Sequence, residues 1–184
     1  MPALETPQAD FGAKAIDFTL PATEGGSRSL ADCCGEKGVL VMFICNHCPY
    51  VQSIVKDLVA DCRKLQQAGL GIVAICSNDA ETYPDDSFEN MQRFAEEHGF
   101  TFPYLHDEDQ HTARAYGAVC TPDFFGYNAV LELQYRGRFD DRGRNREAPG
   151  HHELLEAMQT VIETGKGPQQ QIPSIGCSIK WKAV

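Results

Sequence analysis

Residues 39–58 read VLVMFICNHCPYVQSIVKDL. The first six, Val39 to Ile44, form an unbroken apolar run, the pattern of a strand covered on both faces. From Pro49 the period changes. Val51, Ile54, Val55, Leu58, Cys62 and Leu65 recur at intervals of three and four, so one face of a helix points at a core, and Gly69 stops that helix. Cys45, Asn46, His47 and Cys48 lie at the handover. In open α/β sheets, ligands and chemistry collect at the carboxyl ends of strands.

Proline suits the first position of a helix, where its missing N–H would have no partner anyway. With Pro49 there, Cys48 is the N-cap, and its sulfur faces the free amides and the positive end of the helix dipole. Both favour thiolate over thiol, lowering such cysteines from ~8.5 towards roughly 3.5–7.5. The thiolate is the nucleophile, which makes Cys48 the first candidate for a reacting residue. Cys45 lies three residues earlier, within the ~7 Å reach of a turn, so it can resolve a bond formed at Cys48. His47 can add positive potential or move a proton. Burial is the competing explanation for each cysteine, because a cysteine ending an apolar strand is commonly core.

Outward from this stretch, FTLPATEGGSRSL predicts two short strands joined at Gly25-Gly26, and GIVAICS (residues 71–77) another buried strand. YPDDSFENMQRFAEEHG predicts a helix started at Asp85 to Ser87 and ended by Gly99. FPYLHD reads as a short strand and DEDQHTARAYGA as a brief helix ending near Gly117. FFGYNAVLELQYRGRF gives two strands joined at about Asn128-Ala129, and GHHELLEAMQTVIETGKG a last helix. The tail, PQQQIPSIGCSIKWKAV (residues 168–184), has no convincing period. The order βαβ and then ββα implies an α/β domain, a mixed sheet sandwiched by helices. The expected organisation is an N-terminal arm (1–11), a domain (12–167) carrying an N-terminal β-hairpin extension, and an irregular tail (168–184) packed on or near it.

The chain has 184 residues, 42% apolar and 23% charged, as expected of a soluble globular protein. A net charge of −10 argues against a nucleic-acid partner. Five arginines from Arg136 to Arg146 stand with three acids, Asp140, Asp141 and Glu147, which reads as a mixed-charge surface. No apolar run approaches the ~20 residues of a membrane span. The N-terminus carries no signal pattern, so eight cysteines read as thiols in a reducing, cytoplasmic setting. Cys62 and Cys76 read as packing, and Cys33-Cys34 as a pair in a turn. Cys120 lies in VCTPDFF, where Thr121-Pro122 can carry a cis bond. Cys177 is a tail cysteine, either a third redox partner or simply tucked under the tail.

FICNHCPYV, followed much later by Thr121-Pro122, resembles the thioredoxin-like superfamily in its peroxiredoxin-like (redoxin) branch. GAKAIDFTLPATEGGSRSLADCCGEKGVLVMF resembles that branch's N-terminal hairpin and first core strand, and PSIGCSIKWK the tail of a bacterial subgroup. The resemblance implies a thioredoxin-like fold with Cys48 as nucleophile. It also implies that the Thr121-Pro122 backbone aligns a thiol substrate and that Cys120 lies close to Cys48. Two positions depart from the pattern. The place of the second thioredoxin cysteine is Val51, and the place of the peroxiredoxin threonine or serine is Cys45. Arg136 or Arg138 is left to supply the guanidinium that peroxide sites use.

The function expected is thiol–disulfide exchange, or peroxiredoxin-like antioxidant chemistry, without a cofactor or a resident metal. Its partners would be a thiol, disulfide or peroxide substrate and a thiol reductant, with catalytic Cys48, Cys45 and Cys120 and substrate-binding Thr121, Pro122 and His47. Two other readings stand beside it. Cys45, Cys48, Cys120 and His47 are soft ligands suited to zinc or copper(I). A redox-silent binding scaffold is the other, since fold does not fix function.

Overall fold

The computed structural model describes residues 3–143 and 145–183. In chain order the elements are β1 (Ala3–Glu5), β2 (Thr19–Pro21), β3 (Ser27–Ser29), α1 (Leu30–Cys33), β4 (Val39–Phe43), α2 (Pro49–Gln67) and β5 (Gly71–Cys76). A 3-10 turn (Pro84–Asp86) precedes α3 (Phe88–Glu97), β6 (Tyr104–His106) and α4 (His111–Tyr116). The chain then runs through β7 (Cys120–Thr121), β8 (Asp123–Tyr127), β9 (Leu133–Tyr135), α5 (Glu153–Thr164) and β10 (Ile175–Ser178).

The central sheet has the order β6-β5-β4-β8-β9. The β4/β5 and β5/β6 pairs are parallel, whereas β8 joins β4, and β9 joins β8, antiparallel. This is the mixed sheet the element order implied. Alternation along β4 divides the core in two. Leu40, Met42 and Ile44 pack with α2, α3 and α5 on one face. Val39, Val41 and Phe43 pack with Phe18, Ala113 and Phe125 on the other. Every residue of β4 is buried, as a continuous apolar run requires. Gly38, just before this strand, has φ +119, and a Cβ there would lie 2.1 Å from the Tyr127 carbonyl oxygen, so only glycine lets the chain enter β4 this close to the end of β8.

Sequence patterning located the main elements. Helix α2 begins at Pro49 with Cys48 as N-cap, and Gly69 follows its end at φ +93. Ser87 caps α3, its hydroxyl accepting from the Asn90 amide. The β8–β9 hairpin turns at Asn128, whose side-chain oxygen accepts from the amides of Val130 and Glu132. The tail differs from its reading. Most of it is irregular, but Ile175–Ser178 forms a strand, and a second sheet of order β1-β10-β7 joins arm, tail and the segment before Pro122. Among the described residues no helix is long and apolar enough to cross a membrane.

The arginine-rich segment is an ion-pair network. Arg136 holds buried Asp123 through two bonds (3.3 and 2.9 Å) and lies 4.3 Å over the Phe125 ring. Arg138 grips Glu153 at 2.6 and 2.9 Å. Arg142 and Arg146 share Asp57 and Asp140. Arg144 lies outside the described residues.

Candidate active site

Three segments converge at the end of β4. The turn after the strand delivers Cys45, the helix N-terminus delivers Cys48, and the end of β7 delivers Thr121 and Pro122, joined by a cis peptide bond. All three of Cys45, Cys48 and Thr121 are buried. The Cys45 sulfur lies 3.3 Å from the Thr121 hydroxyl. The Cys48 sulfur lies 3.1 Å from the Thr121 carbonyl oxygen, to which it donates as a thiol. A third sulfur completes the cluster: Cys177 on β10 stands opposite Thr121 and is near enough to act on Cys48.

These contacts decide the charge at Cys48. The Cys45 thiol acts most strongly to lower its pKa, burial opposes it, and the Thr121 hydroxyl, the Cys177 thiol and the Val51 amide add to the lowering. The net result is a fall from 9.0 to about 4. The carbonyl of Thr121 favours the thiol, but the other neighbours outweigh it. The helix N-terminus contributes less than its position promised: Val51 is the weakest of these influences, and no capping hydrogen bond is closed by the sulfur. Neighbouring thiols, more than the helix, hold this anion. The same contact acts in reverse on its partners. Cys48 and then burial push Cys45 well up, whereas burial and then Cys48 push Cys177 to about 11. One thiolate and two proton-bearing thiols result, the distribution disulfide exchange needs.

Below the cluster sits a residue the sequence reading passed over. Asp86 is fully buried, and one carboxylate oxygen accepts from the Asn46 amide at 2.8 Å and the His47 amide at 3.3 Å. The other accepts from His47 Nδ1 at 2.6 Å and Asn78 Nδ2 at 2.7 Å. Burial alone would raise Asp86, but these donors outweigh it, and its pKa is lowered. In return Asp86 raises His47, which stacks on Tyr83 at 5.8 Å. Asp86 therefore fixes the Cys45-to-Cys48 turn by its backbone, and His47 faces Asp86 with Nδ1. His47 Nε2 is buried and has no hydrogen-bond partner.

Cys120 lies near this cluster without a hydrogen bond to Cys48. Its sulfur sits 3.7 Å from the Pro122 carbonyl, feels Cys48 and Cys177 only through space, and is pushed up chiefly by burial and then by Asp123. It alternates with Thr121 along β7, so the two side chains leave the strand on opposite sides. Arg136 and Arg138, held by Asp123 and Glu153, supply no guanidinium to Cys48. The metal donor set differs too. Among the described residues only Cys45, His47 and Asp86 bring ligand atoms within 4.8 Å of one another, without Cys48 or Cys120. An ion there would have to compete with the N–H donors already on Asp86.

Beside Pro122 a cavity of about 340 Å³ opens between Tyr50, Ile54, Phe139 and Ile172, with Arg138 and Arg142 at its edge. A larger depression, about 800 Å³, runs along α3 but includes none of the cysteines.

A cysteine at a strand-to-helix junction opposite a cis-proline, on a mixed sheet covered by helices, defines a thioredoxin-like protein of the peroxiredoxin-like branch. The chain belongs to the AhpC/TSA family, whose model matches residues 11–140. Its fold is shared over its whole length with an uncharacterised conserved protein of Geobacillus kaustophilus (TM-score 0.94, 43% identity, covering 100% of this chain and 98% of that one). A Mycobacterium tuberculosis protein provisionally named a peroxiredoxin is 27% identical over 146 residues, 76% of this chain and 88% of that one. The thiol-disulfide oxidoreductase ResA of Halalkalibacterium halodurans is 28% identical over 109 residues, 59% of this chain and 57% of its own length. Family and relatives together support a thiol oxidoreductase or peroxiredoxin-like role.

Sequence reasoning missed Asp86, which it read only as part of a helix start, and left Cys177 undecided. The one local signal for Cys177 was the glycine before it, since Gly-Cys lets a strand approach another backbone closely.

Proposed function

We propose that the protein is a thiol–disulfide oxidoreductase with Cys48 as its nucleophile. The observation that carries this reading is the chemistry of the cluster: the sulfur held as a thiolate is surrounded by two further thiols. The Cys48 thiolate attacks one sulfur of a substrate disulfide, forming a mixed disulfide and releasing the other substrate sulfur as a thiolate that takes a proton. A second cysteine thiol of the protein then gives up its proton and attacks Cys48, releasing the remaining substrate thiol. The substrate gains two electrons and two protons, and a thiol reductant returns the protein to its dithiol form.

Efficient peroxide reduction fits less well. Cys45 stands where the peroxiredoxin pattern has a hydroxyl, and both candidate arginines are committed to carboxylates. A reducing, cytoplasmic setting belongs to this reading and rests on cysteine usage alone. The test is turnover of oxidised glutathione and of hydrogen peroxide, each with dithiothreitol as reductant, by wild type and Cys48→Ser. Disulfide reduction that depends on Cys48 and exceeds peroxide consumption is expected. Equal disulfide reduction by both proteins would overturn the proposal.

A further inference from the structure

The Cys48 sulfur has no solvent exposure, yet the proposed reaction needs a substrate to reach it. Part of its surroundings is the tail, which brings Cys177 beside it. Strand β10 pairs antiparallel with β7, with Cys177 opposite Thr121 and Ser178 opposite Cys120. The contact continues on both sides: the Ser174 hydroxyl donates to the Pro122 carbonyl at 2.8 Å, and the Ile179 amide to the Val119 carbonyl at 3.1 Å. An edge of this kind, beside a nucleophile, is where an extended peptide adds itself to a sheet, its main chain bonding to the edge and alternate side chains entering pockets. Here the chain fills its own edge.

The fit is close. A Cβ on Gly176 would lie 2.1 Å from the Thr121 carbonyl oxygen and 3.0 Å from the Pro122 nitrogen, so only glycine lets the strand sit so near the cis bond. The next residue is Cys177, whose thiol meets Cys48. Beyond it the tail is tied down by polar bonds. The Lys180 carbonyl accepts from the Asp79 amide and from Gln110 Nε2, both at 2.8 Å, and the Lys180 amide donates to Asn78 Oδ1 at 2.9 Å.

We propose that β10 is a built-in stand-in for an extended, cysteine-bearing substrate, and that it supplies Cys177 as the thiol completing the disulfide with Cys48. This rests on the oxidoreductase reading of the same site. The strand must lift for a substrate disulfide to meet Cys48. The Cys48 thiolate then forms the mixed disulfide and releases one substrate thiolate. When β10 reseats, it competes for the Thr121 backbone that the substrate occupies and brings Cys177 to the Cys48 sulfur. Cys177 loses its proton, the Cys48–Cys177 bond forms, and the second substrate thiol departs with a proton. Resolution and product expulsion are one motion. Cys45 is placed differently: it follows β4 of the central sheet and not the tail, so no such motion carries it.

The experiment treats the reduced full chain with one equivalent of oxidised glutathione, quenches with acid and maps disulfides by mass spectrometry. It compares wild type, Cys177→Ser and Gly176→Val, with circular dichroism to verify folding. A Cys48–Cys177 bond is expected in wild type. Both variants should lose it and accumulate Cys48 joined to glutathione, Gly176→Val doing so although Cys177 is still present. A Cys45–Cys48 bond in wild type, or one formed undiminished in Cys177→Ser, overturns the role of Cys177 and leaves Cys48 as nucleophile. If Cys48 takes up no glutathione in any of the three proteins, the oxidoreductase reading falls with it.

Discussion

Replacing Cys48 with alanine should change how stability depends on pH. The native sulfur titrates near 4 against 9.0 for an ordinary thiol. Because the folded pKa is depressed, the unfolded chain binds a proton that the native state does not, throughout the interval between these values. Stability from this group is therefore complete above pH 9 and lost as pH falls through 4, with a slope of about 1.36 kcal/mol per pH unit between. From pH 7 to pH 4 the ceiling on the loss is about 4 kcal/mol. Carboxylates also destabilise the protein in that range, but they do so in both proteins, and the difference isolates the sulfur. The assay is urea unfolding of reduced wild type and Cys48→Ala at a series of pH values, with a non-thiol reductant present. Wild type should be relatively more stable at pH 7 and lose that advantage towards pH 4. Parallel profiles from pH 5 to 8 would refute the reasoning, because no thiolate would then be linked to folding.

Three further outcomes follow from the structure. Asp123→Asn leaves the Arg136 charge buried and uncompensated, and should cost about 3–5 kcal/mol in urea unfolding; a loss under about 1 kcal/mol would show the pair to be dispensable. Asp86→Asn removes the charge that raises His47, so the His47 midpoint followed by NMR should fall below its wild-type value. An unchanged midpoint would mean that Asp86 does not set that proton. Gly38→Ala forces a Cβ against the Tyr127 carbonyl at a left-handed position and should cost about 3 kcal/mol, read as a lowered melting temperature.

Legibility in the sequence tracked how local each signal was. The run from Val39 to Ile44 announced a doubly covered strand because both sheet faces are packed. Pro49 and Gly69 marked the limits of α2 because backbone constraints at helix ends act within one or two residues. The same locality placed Cys48 at the N-cap, but it credited the helix amides with an effect that comes mostly from Cys45, Thr121 and Cys177. Thr121 and Cys177 lie 73 and 129 positions along the chain from Cys48, and sequence spacing carries no distance across such gaps. Strand β10 was invisible for a related reason. It is short, made of small and mixed residues, and owes its extended form to the two strands beside it, not to its own propensity. Asp86 escaped because a carboxylate in a Pro-Asp-Asp turn reads as helix initiation, and only tertiary contact turns it inward under the cysteine turn.

The measurement that bears most directly on the account is the rate of iodoacetamide alkylation at Cys48 itself, resolved from the other seven cysteines by mass spectrometry, as a function of pH. The account predicts a rate already on its plateau at neutral pH, with a half-point near 4. A rate that climbs instead through the range of a free thiol, ~8.5, would contradict it.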